Sequence, residues 1–598
     1  MNGIKSLRHN RLALSVWMLI STISPMVHAA ATTQPNIVVL VADDWGFSDV
    51  GAFGGEIATP NLDALARRGL RFSNFHVAAS CSPTRSMLLT GVDNHRNGHG
   101  NLRETMPSAH LGQPGYQGSL TPNVVTVASL LKGSGYRTYV AGKWNVGNEA
   151  FNLPDQRGFD RSFVMGDTGS DNWEPTKRYL PHSAKVHWYE DGKEPRLPSE
   201  FYSSTFFVDK TIEYIRSGAT SGKPFFAYVG FQANHVPVQA PKSYVDKYKG
   251  RYDAGWTALR EARHQKTVEL GLMPATTSMV TMGSTLDWAS LSPSDRQHQA
   301  RSMEVYAAMA DAMDHEVGRL VAHLKSTGEY DNTVFVFLSD NGPEGSDYHE
   351  ADLWLRFQYS RELDQLGAKG AYVVPGPSWA SASASPLATY KFYAGEGALR
   401  VPLIISGVKG APENQVVQGL THVTDIVPTL LDIAKVDRPG TSYQGHPIEA
   451  MTGHSLLPMM NPSPVVGVRG ANEILGYELA GNKALFKGEF KLVLNNPPVG
   501  DGQWHLYNLA KDPGETQDLK QALPEKFIEL QAAYAAWAKA NGVLPMPDGY
   551  NPQRQVLINS FVNYWIPTYK FHFLAGLAAV VSLVVLGLRR RRNKRRVA

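Results

Sequence analysis

The sequence predicts an α/β protein: a central, largely parallel mixed sheet flanked by helices, with a smaller C-terminal α+β domain. Three observations predict it. Four short apolar runs, β-branched or aromatic and bounded by polar or turn residues, read as buried strands. Helical patterns lie between them, and strands alternating with helices imply a parallel sheet covered on both faces. The 598 residues, 43% hydrophobic and 19% charged, can build a large core. They exclude a disordered chain, a collagen and a disulfide scaffold.

In chain order, the first run is Asn36–Ala42, which ends in Asp43-Asp44. Residues 61–68 and 126–134 follow with helical spacing. The run 136–142 ends in Lys143. Residues 206–216 are helical, and the run 224–231 ends near Asn234-His235. A long helical pattern over 300–327 leads into Thr333–Ser339, which ends in Asp340-Asn341. Segment 375–386, rich in Ser, Ala, Gly and Pro, reads as a loop. The body is expected over 35–460, with a boundary near 461–468. A domain over 463–541 should hold a short antiparallel sheet and the helix Pro524–Ala540.

The ends of the chain place it. Lys5, Arg8 and Arg11, an apolar stretch over 12–23 and small residues near 27–31 read as a signal peptide over 1–30. Residues 571–588 are apolar apart from His572 and Ser582. At ~1.5 Å per residue they just span a hydrocarbon core. Tyr564, Trp565 and Tyr569 sit where an aromatic belt lies, at the end of a stalk over 542–570, and a basic tail over 589–598 follows at the cytoplasmic side. That tail more than accounts for the net charge of +4, so the folded part offers no nucleic-acid surface. Cys81 is the sole cysteine, which excludes an internal disulfide. Asn461-Pro462-Ser463 is barred by its proline from being a glycosylation site. The reading is an exported bacterial protein, periplasmic and anchored to the inner membrane.

Ligands of parallel sheets bind beyond the carboxyl ends of the strands. If the four runs are neighbours, their polar ends converge there. One Asp after one strand is ordinarily a cap or a turn residue; four such ends form a set. Asp43, Asp44, Asp340 and Asn341 are hard oxygen ligands suited to Ca²⁺ or Mg²⁺. Three carboxylates at one point repel each other without a cation. Lys143 and His235 suit an oxyanion. Cys81-Ser82-Pro83-Thr84-Arg85 completes the set. Pro83 favours the first turn of a helix and Gly91 its end; Arg85 then lies one turn beyond Cys81 on the same face.

On these residues the chain resembles the type I sulfatases, most closely the bacterial arylsulfatases of the alkaline-phosphatase-like superfamily. The resemblance runs from about Pro35 to about Asn541. It includes Asp43-Asp44, Cys81-x-Pro83-x-Arg85, Gly142-Lys143-Trp144, Ser339-Asp340-Asn341-Gly342, Tyr390-Lys391, Gly476-Tyr477-Glu478 and Asp512-Pro513-Gly514-Glu515. The resemblance implies an alkaline-phosphatase-like fold and hydrolysis of sulfate esters. It implies that a formylglycine-generating enzyme oxidises Cys81 to Cα-formylglycine, whose hydrate attacks sulfur and then expels sulfate. It implies that Asp43, Asp44, Asp340, Asn341 and the modified Cys81 hold Ca²⁺, with Mg²⁺ as the alternative. Arg85 would orient the diol, and Lys143, His235 and Lys391 would contact sulfate or the leaving oxygen, His235 as its proton donor. The implied substrate is a sulfated small molecule or saccharide.

One position departs from the family's Gly-Lys-Trp-His: Asn145 follows Trp144. An amide can donate to a substrate oxygen but cannot titrate. Two other readings use the same residues. A phosphonate monoester or phosphodiester hydrolase shares the fold and the nucleophile, because both esters are tetrahedral. A membrane-anchored binding protein would follow if Asn145 disables the site. Outside this set, His315 shares its helix with Asp311, Asp314 and Glu316, which reads as a solvated face.

Overall fold

The computed structural model describes residues 34–179, 185–346, 353–463 and 465–597; the signal peptide expected over 1–30 lies outside them. The central sheet has nine strands: β1 Asn36–Ala42, β2 Gly69–Phe72, β3 Arg137–Lys143, β4 Arg161–Met165, β5 Trp188–Glu190, β6 Phe225–Gly230, β7 Thr333–Ser339, β8 Leu403–Ser406 and β9 Gln415–Val417. In space they run β9-β2-β8-β7-β1-β6-β3-β4-β5. The centre, β7-β1-β6-β3, is all parallel. Antiparallel joins lie at β7–β8, β8–β2 and β4–β5. The four central strands are the four apolar runs of the sequence. They are buried on both faces, which is why they read as continuous rather than alternating runs.

Helices cover both faces. Along β1, Val38, Leu40 and Ala42 enter one core and Ile37, Val39 and Val41 the other, as the two-residue period of a strand requires. The first core is closed by α1 Pro60–Arg67, α4 Ser203–Ser217 and α5 Pro293–Ser326. The second is closed by α2 Cys81–Thr90, α3 Val127–Gly133 and α7 Ile426–Ala434.

Two expectations are corrected. Segment 375–386 is not a loop; it contains α6 Gly376–Ala384. Its proline falls in the first turn, where no N–H is needed, and its alanines favour helix. The helix is buried, with Trp379 edge-on to Trp256 and Trp288. Its small residues let the 46–48 backbone approach, where Ser48 N donates to Ser383 O. Nor do the acids beside His315 form a solvated face. His315 is exposed, but Asp311, Asp314 and Glu316 are buried. Asp314 accepts from the backbone N–H groups of Asn61 (3.1 Å) and Leu62 (2.8 Å), capping α1 from across the interface. Burial lifts its carboxyl to about 6 despite those bonds.

Beyond residue 463 a four-stranded antiparallel meander forms from β10 Ile474–Leu479, β11 Asn482–Lys487, β12 Phe490–Leu494 and β13 Trp504–Asn508. The helix α8 Pro524–Ala540 covers one face through Leu485, Leu492, Leu506 and Leu530. The opposite face sends Tyr477, Leu479, Phe486 and Val493 into the second core of the body. Buried ions cross the same junction. Glu396 accepts from Lys491 (2.9 Å) and faces His76 (3.0 Å), and Lys491 also meets Glu515 (2.8 Å). His95 lies between Glu478 (3.1 Å) and Asp93 (3.4 Å). Two further helices, α9 Pro552–Ser560 and α10 Ile566–Val597, are joined by a π-helical turn Phe561–Trp565. Over Pro552–Arg589 this helical stretch is long and apolar enough to cross a membrane, and none of its most apolar window is buried.

Burial opposes protonation of His95, but its two carboxylate partners outweigh that and raise it to about 9. The stabilisation is complete below the unfolded value of ~6.5 and is lost as pH rises through about 9; it amounts to about 3 kcal/mol. Thermal melts from pH 6 to 10 should show this loss in the native chain, and His95→Gln should remove most of it.

Candidate active site

The sheet's hydrogen-bond ladder continues past the strand ends and brings their polar residues together. Asp43 N donates to Ala233 O (2.9 Å), Asn234 N to Asp43 O (2.5 Å) and Asp340 N to Ala42 O (3.1 Å). The segments after β1, β6 and β7 therefore emerge side by side. Asp44 takes a positive φ of 62°, a conformation that Asp tolerates better than most residues. Its carbonyl accepts from Tyr306 OH (3.0 Å) on α5.

Cys81 is the first residue of α2, and Gly91, at φ 70°, ends that helix. Thr84 Oγ1 accepts from Ala78 N (2.9 Å), and Tyr477 OH from Ala79 N (3.2 Å). A tail-sheet tyrosine thus buttresses the turn that carries the cysteine. Lys391 arrives on a loop tied at both sides: its own N–H donates to Pro343 O (3.1 Å), and Phe392 N donates to Ala79 O (2.8 Å).

The side chains form one buried cluster. Cys81 Sγ lies 3.4 Å from Asp43 Oδ1. Lys143 Nζ donates to Asp43 Oδ2 at 2.6 Å. The Arg85 guanidinium bonds Asp340 (2.7 Å), approaches Asp43 (3.5 Å) and donates to Lys143 O (3.0 Å). Lys391 Nζ is 2.8 Å from Asp44. Asn341 Nδ2 donates to Asp44 Oδ1 at 2.6 Å. His235 stands with Asp43 and Cys81, their ligand atoms within 4.8 Å of one another. The structure thus brings together Asp43, Asp44, Cys81, Arg85, Lys143, His235, Asp340, Asn341 and Lys391. Asn145 lies two residues past Lys143 at φ 55°, its Oδ1 buried without a partner.

The electrostatics are specific. Burial and the neighbouring Asp43 lift Asp340 to about 6 even against Arg85. For Asp44 burial is outweighed by Lys391, His235 and Lys143, which hold it at about 2. Burial, Asp340 and Asp43 push the Cys81 thiol well up, so the unmodified residue is neither thiolate nor good nucleophile. Burial, then Lys143 and Lys391, hold His235 well below its ordinary value. Val236 O lies 2.8 Å from Nδ1, which places the proton of the neutral ring there and leaves Nε2 free to face a substrate.

The donor set fits a hard cation. The ligand atoms of Asp43, Asp44, Cys81 and Asp340 lie within 4.8 Å of one another, and Asn341 Oδ1 is buried without a partner. The mismatch is the soft sulfur of Cys81 among oxygens; an oxygen at that position completes a hard set. Glu344 was not legible from the sequence. It is buried and pairs with Lys391 at 3.3 Å. Its signal is an acid three residues past Asn341, in the loop that leaves β7.

A buried cluster of carboxylates and cations beyond the strand ends of a parallel sheet, with a cysteine at a helix N-terminus, is a site suited to an anionic ester. Comparison with known proteins gives the family. The Sulfatase family model matches residues 35–436. An uncharacterized sulfatase of Schizosaccharomyces pombe is 36% identical, over 87% of this chain and 96% of its own. An arylsulfatase of Klebsiella aerogenes is 34% identical, over 72% of this chain and 92% of its own. The fold matches the crystal structure of Ps i-CgsB (TM-score 0.60, 21% identity, 90% of this chain and 99% of that one). It also matches a structure bound to its substrate, D-glucosamine-2-N,6-O-disulfate (TM-score 0.57, 20% identity, 85% and 98%). The chain belongs to the sulfatase family, the sulfuric ester hydrolases. That family generally uses formylglycine and a divalent metal.

Calorimetric titration of a divalent cation, Ca²⁺ or Mg²⁺, into the full chain should show one site. Asp340→Asn should weaken binding by about 100-fold or more, the upper range for lost support of a metal site, with the melting transition retained.

Proposed function

We propose that this chain hydrolyses sulfate monoesters by formylglycine at position 81, with Ca²⁺ held by Asp43, Asp44, Asp340, Asn341 and the modified residue, after export across the inner membrane. The observation that supports it most is the convergence of Cys81, Arg85, Lys143, His235 and Lys391 on the carboxylates at the ends of β1 and β7. Formylglycine at position 81 would supply a hydrated aldehyde as nucleophile, and a cation held by Asp43, Asp44, Asp340 and Asn341 would offset negative charge on the ester. The rest falls to this chain's side chains. Arg85, bonded to Asp340 and to Lys143 O, fixes the start of α2 against the carboxylates and orients the nucleophile. Lys143 and Lys391 are positive, buried and held by Asp43 and Asp44. They offset the negative charge of the ester where water cannot screen it. His235 presents Nε2, and the bound anion beside it favours the imidazolium that can protonate the leaving oxygen. Asn145 offers an amide to the same oxygens.

The anchor reading extends to the chain's surroundings. The apolar helix that continues from α9 through α10 and the basic residues after it fit a single-span anchor with the body on the outer side. Maturation by a formylglycine-generating enzyme completes the proposal.

The test is a paired assay with Ca²⁺: an aryl sulfate against an aryl phosphonate ester with the same leaving group, each with a Cys81→Ala control. A preference for the sulfate that vanishes in Cys81→Ala is expected. A preference for the phosphonate overturns the substrate assignment, and activity that survives Cys81→Ala overturns the nucleophile. Asn145→His should add an ionisation to the pH–rate profile near the ordinary value for imidazole, ~6.5. An unchanged profile would remove Asn145 from the substrate's surroundings.

A further inference from the structure

We infer that the substrate is an amphiphilic sulfate monoester taken from the bilayer, its apolar alcohol remaining in the membrane while the headgroup enters the site. This rests on the sulfate-ester and membrane-anchor readings above.

The segment that leads into the apolar helix does not hang free as a stalk. Tyr550 OH donates to Thr105 O (2.8 Å). Asn559 Nδ2 donates to Glu104 O (2.9 Å) and Met106 O (3.0 Å). Ser560 and Tyr564 are buried, although Leu557, Phe561 and Val562 around them are exposed. One side of this segment is therefore docked on the body as far as Tyr564, and the backbone leaves helical geometry at Tyr569 (φ −110°), just before the apolar stretch.

The docking point adjoins the site. The Arg178 guanidinium lies 4.9 Å from the Tyr564 ring centroid. The next residue, Tyr179, packs edge-on against His235, ring centroids 5.5 Å apart. Two consecutive residues thus connect the head of the apolar helix to the imidazole of the candidate site. Within the cluster, the residue that Tyr179 packs against, His235, keeps the largest share of exposure, small as it is. Asp43, Asp44, Arg85, Lys143, Asp340 and Asn341 have no exposure, whereas Cys81, Lys391 and His235 keep 2%, 3% and 4%.

The same loop is tied to an exposed aromatic. Tyr359 OH donates to Arg178 O (3.3 Å), and Lys177 Nζ lies 4.0 Å over the Tyr359 ring. Phe357, two residues earlier, is 83% exposed. A phenylalanine so exposed suits an interface more than water. Trp565 and Tyr569 stack at 5.4 Å on the helix head, where interfacial aromatics anchor a span. Phe357 and these rings flank the loop that bears Arg178 and Tyr179, so the wall formed by His235 and Tyr179 sits beside the membrane surface. A sulfate on an apolar alcohol rests with its charged group at that level. A site held there binds the headgroup without drawing the apolar body into water.

The experiment uses the matured full chain in phosphatidylcholine vesicles with two esters: water-soluble 4-nitrophenyl sulfate and vesicle-borne cholesteryl sulfate. The double variant Arg178→Ala/Tyr564→Ala keeps the anchor and the Tyr550 and Asn559 bonds to the body, and loses the contact between the helix head and the loop that reaches His235. Its kcat/KM on the vesicle-borne ester should fall by about tenfold or more, while that on the soluble ester stays within about twofold. Equal effects on both esters, or turnover of the soluble ester alone by the native chain, overturn the inference and leave the sulfatase reading standing. Turnover of neither ester, with Cys81 converted, fails that reading and the inference with it. A second readout is independent of activity. The variant Cys81→Ala/Phe357→Cys, labelled with an environment-sensitive fluorophore, should be quenched by lipids spin-labelled near the headgroup; quenching by aqueous iodide alone overturns the proposed placement.

Discussion

Asp43, Asp44 and Asp340 are buried carboxylates gathered at one point, and the arrangement of the body follows from keeping them there. Ionised groups without solvent are costly unless paired. Here Lys143 and Arg85 meet Asp43, Lys391 meets Asp44, and Arg85 meets Asp340. Each partner comes from a different stretch of chain: the end of β3, the first turns of α2, and the loop after α6. Each acid follows the end of a central strand. The pairing is a tertiary constraint that fixes the strand order β7-β1-β6-β3 at its functional end. The balance is also incomplete. Asp340 remains raised to about 6 with Arg85 beside it, and Asn341 Oδ1 has no partner. A divalent ion bound there would supply what both lack.

The site was legible in the sequence because each of its pieces ends a strong local pattern. Asn36–Ala42 and Thr333–Ser339 are buried on both faces, so their apolar runs are long and their boundaries abrupt; the acids at those boundaries stand out. Cys81 was legible through Pro83 and Gly91, which mark the two ends of α2. The outer strands β2, β4, β5, β8 and β9, on either side of the central four, have no comparable signal. They are short, and β5 and β9 are partly exposed. The helix α6 was missed because Ser, Gly and Pro mark loops in most contexts. Here they are small residues that let a helix pack against the 46–48 backbone. Glu344 and Tyr477 were missed as parts of the site because each acts through a contact across the fold, Glu344 on Lys391 and Tyr477 on Ala79. Nothing local distinguishes them from other acids and tyrosines.

The C-terminal sheet illustrates the same point at larger scale. The composition around 461–468 suggests a boundary, and the meander with α8 forms beyond it. Yet Tyr477, Leu479 and Phe486 belong to the body's second core, and buried ions span the junction at Glu396, Lys491 and Glu515. The sheet is coupled to the reacting end of the molecule twice. Tyr477 holds the turn before α2, and Glu396, which Lys491 pairs, lies five residues after Lys391. A perturbation of this sheet reaches the nucleophile's turn and the Lys391 loop together, through contacts that already exist.

Asn145 sharpens the functional argument. It adopts a left-handed φ of 55°, which Asn tolerates well, so the backbone there makes little demand for a different residue. Replacing an imidazole by an amide removes a titratable group and keeps a hydrogen-bond donor. His235 is held neutral by burial and by two lysines and Asp340 is raised to about 6 beside Arg85, so the fixed cations of the free site are lysines and an arginine. In the proposed attack at sulfur the alcohol is the leaving group, so an unactivated alcohol needs a proton, which His235 can deliver once the bound anion favours its imidazolium. The same fixed positive charge that offsets the buried carboxylates favours an anionic ester over a neutral one.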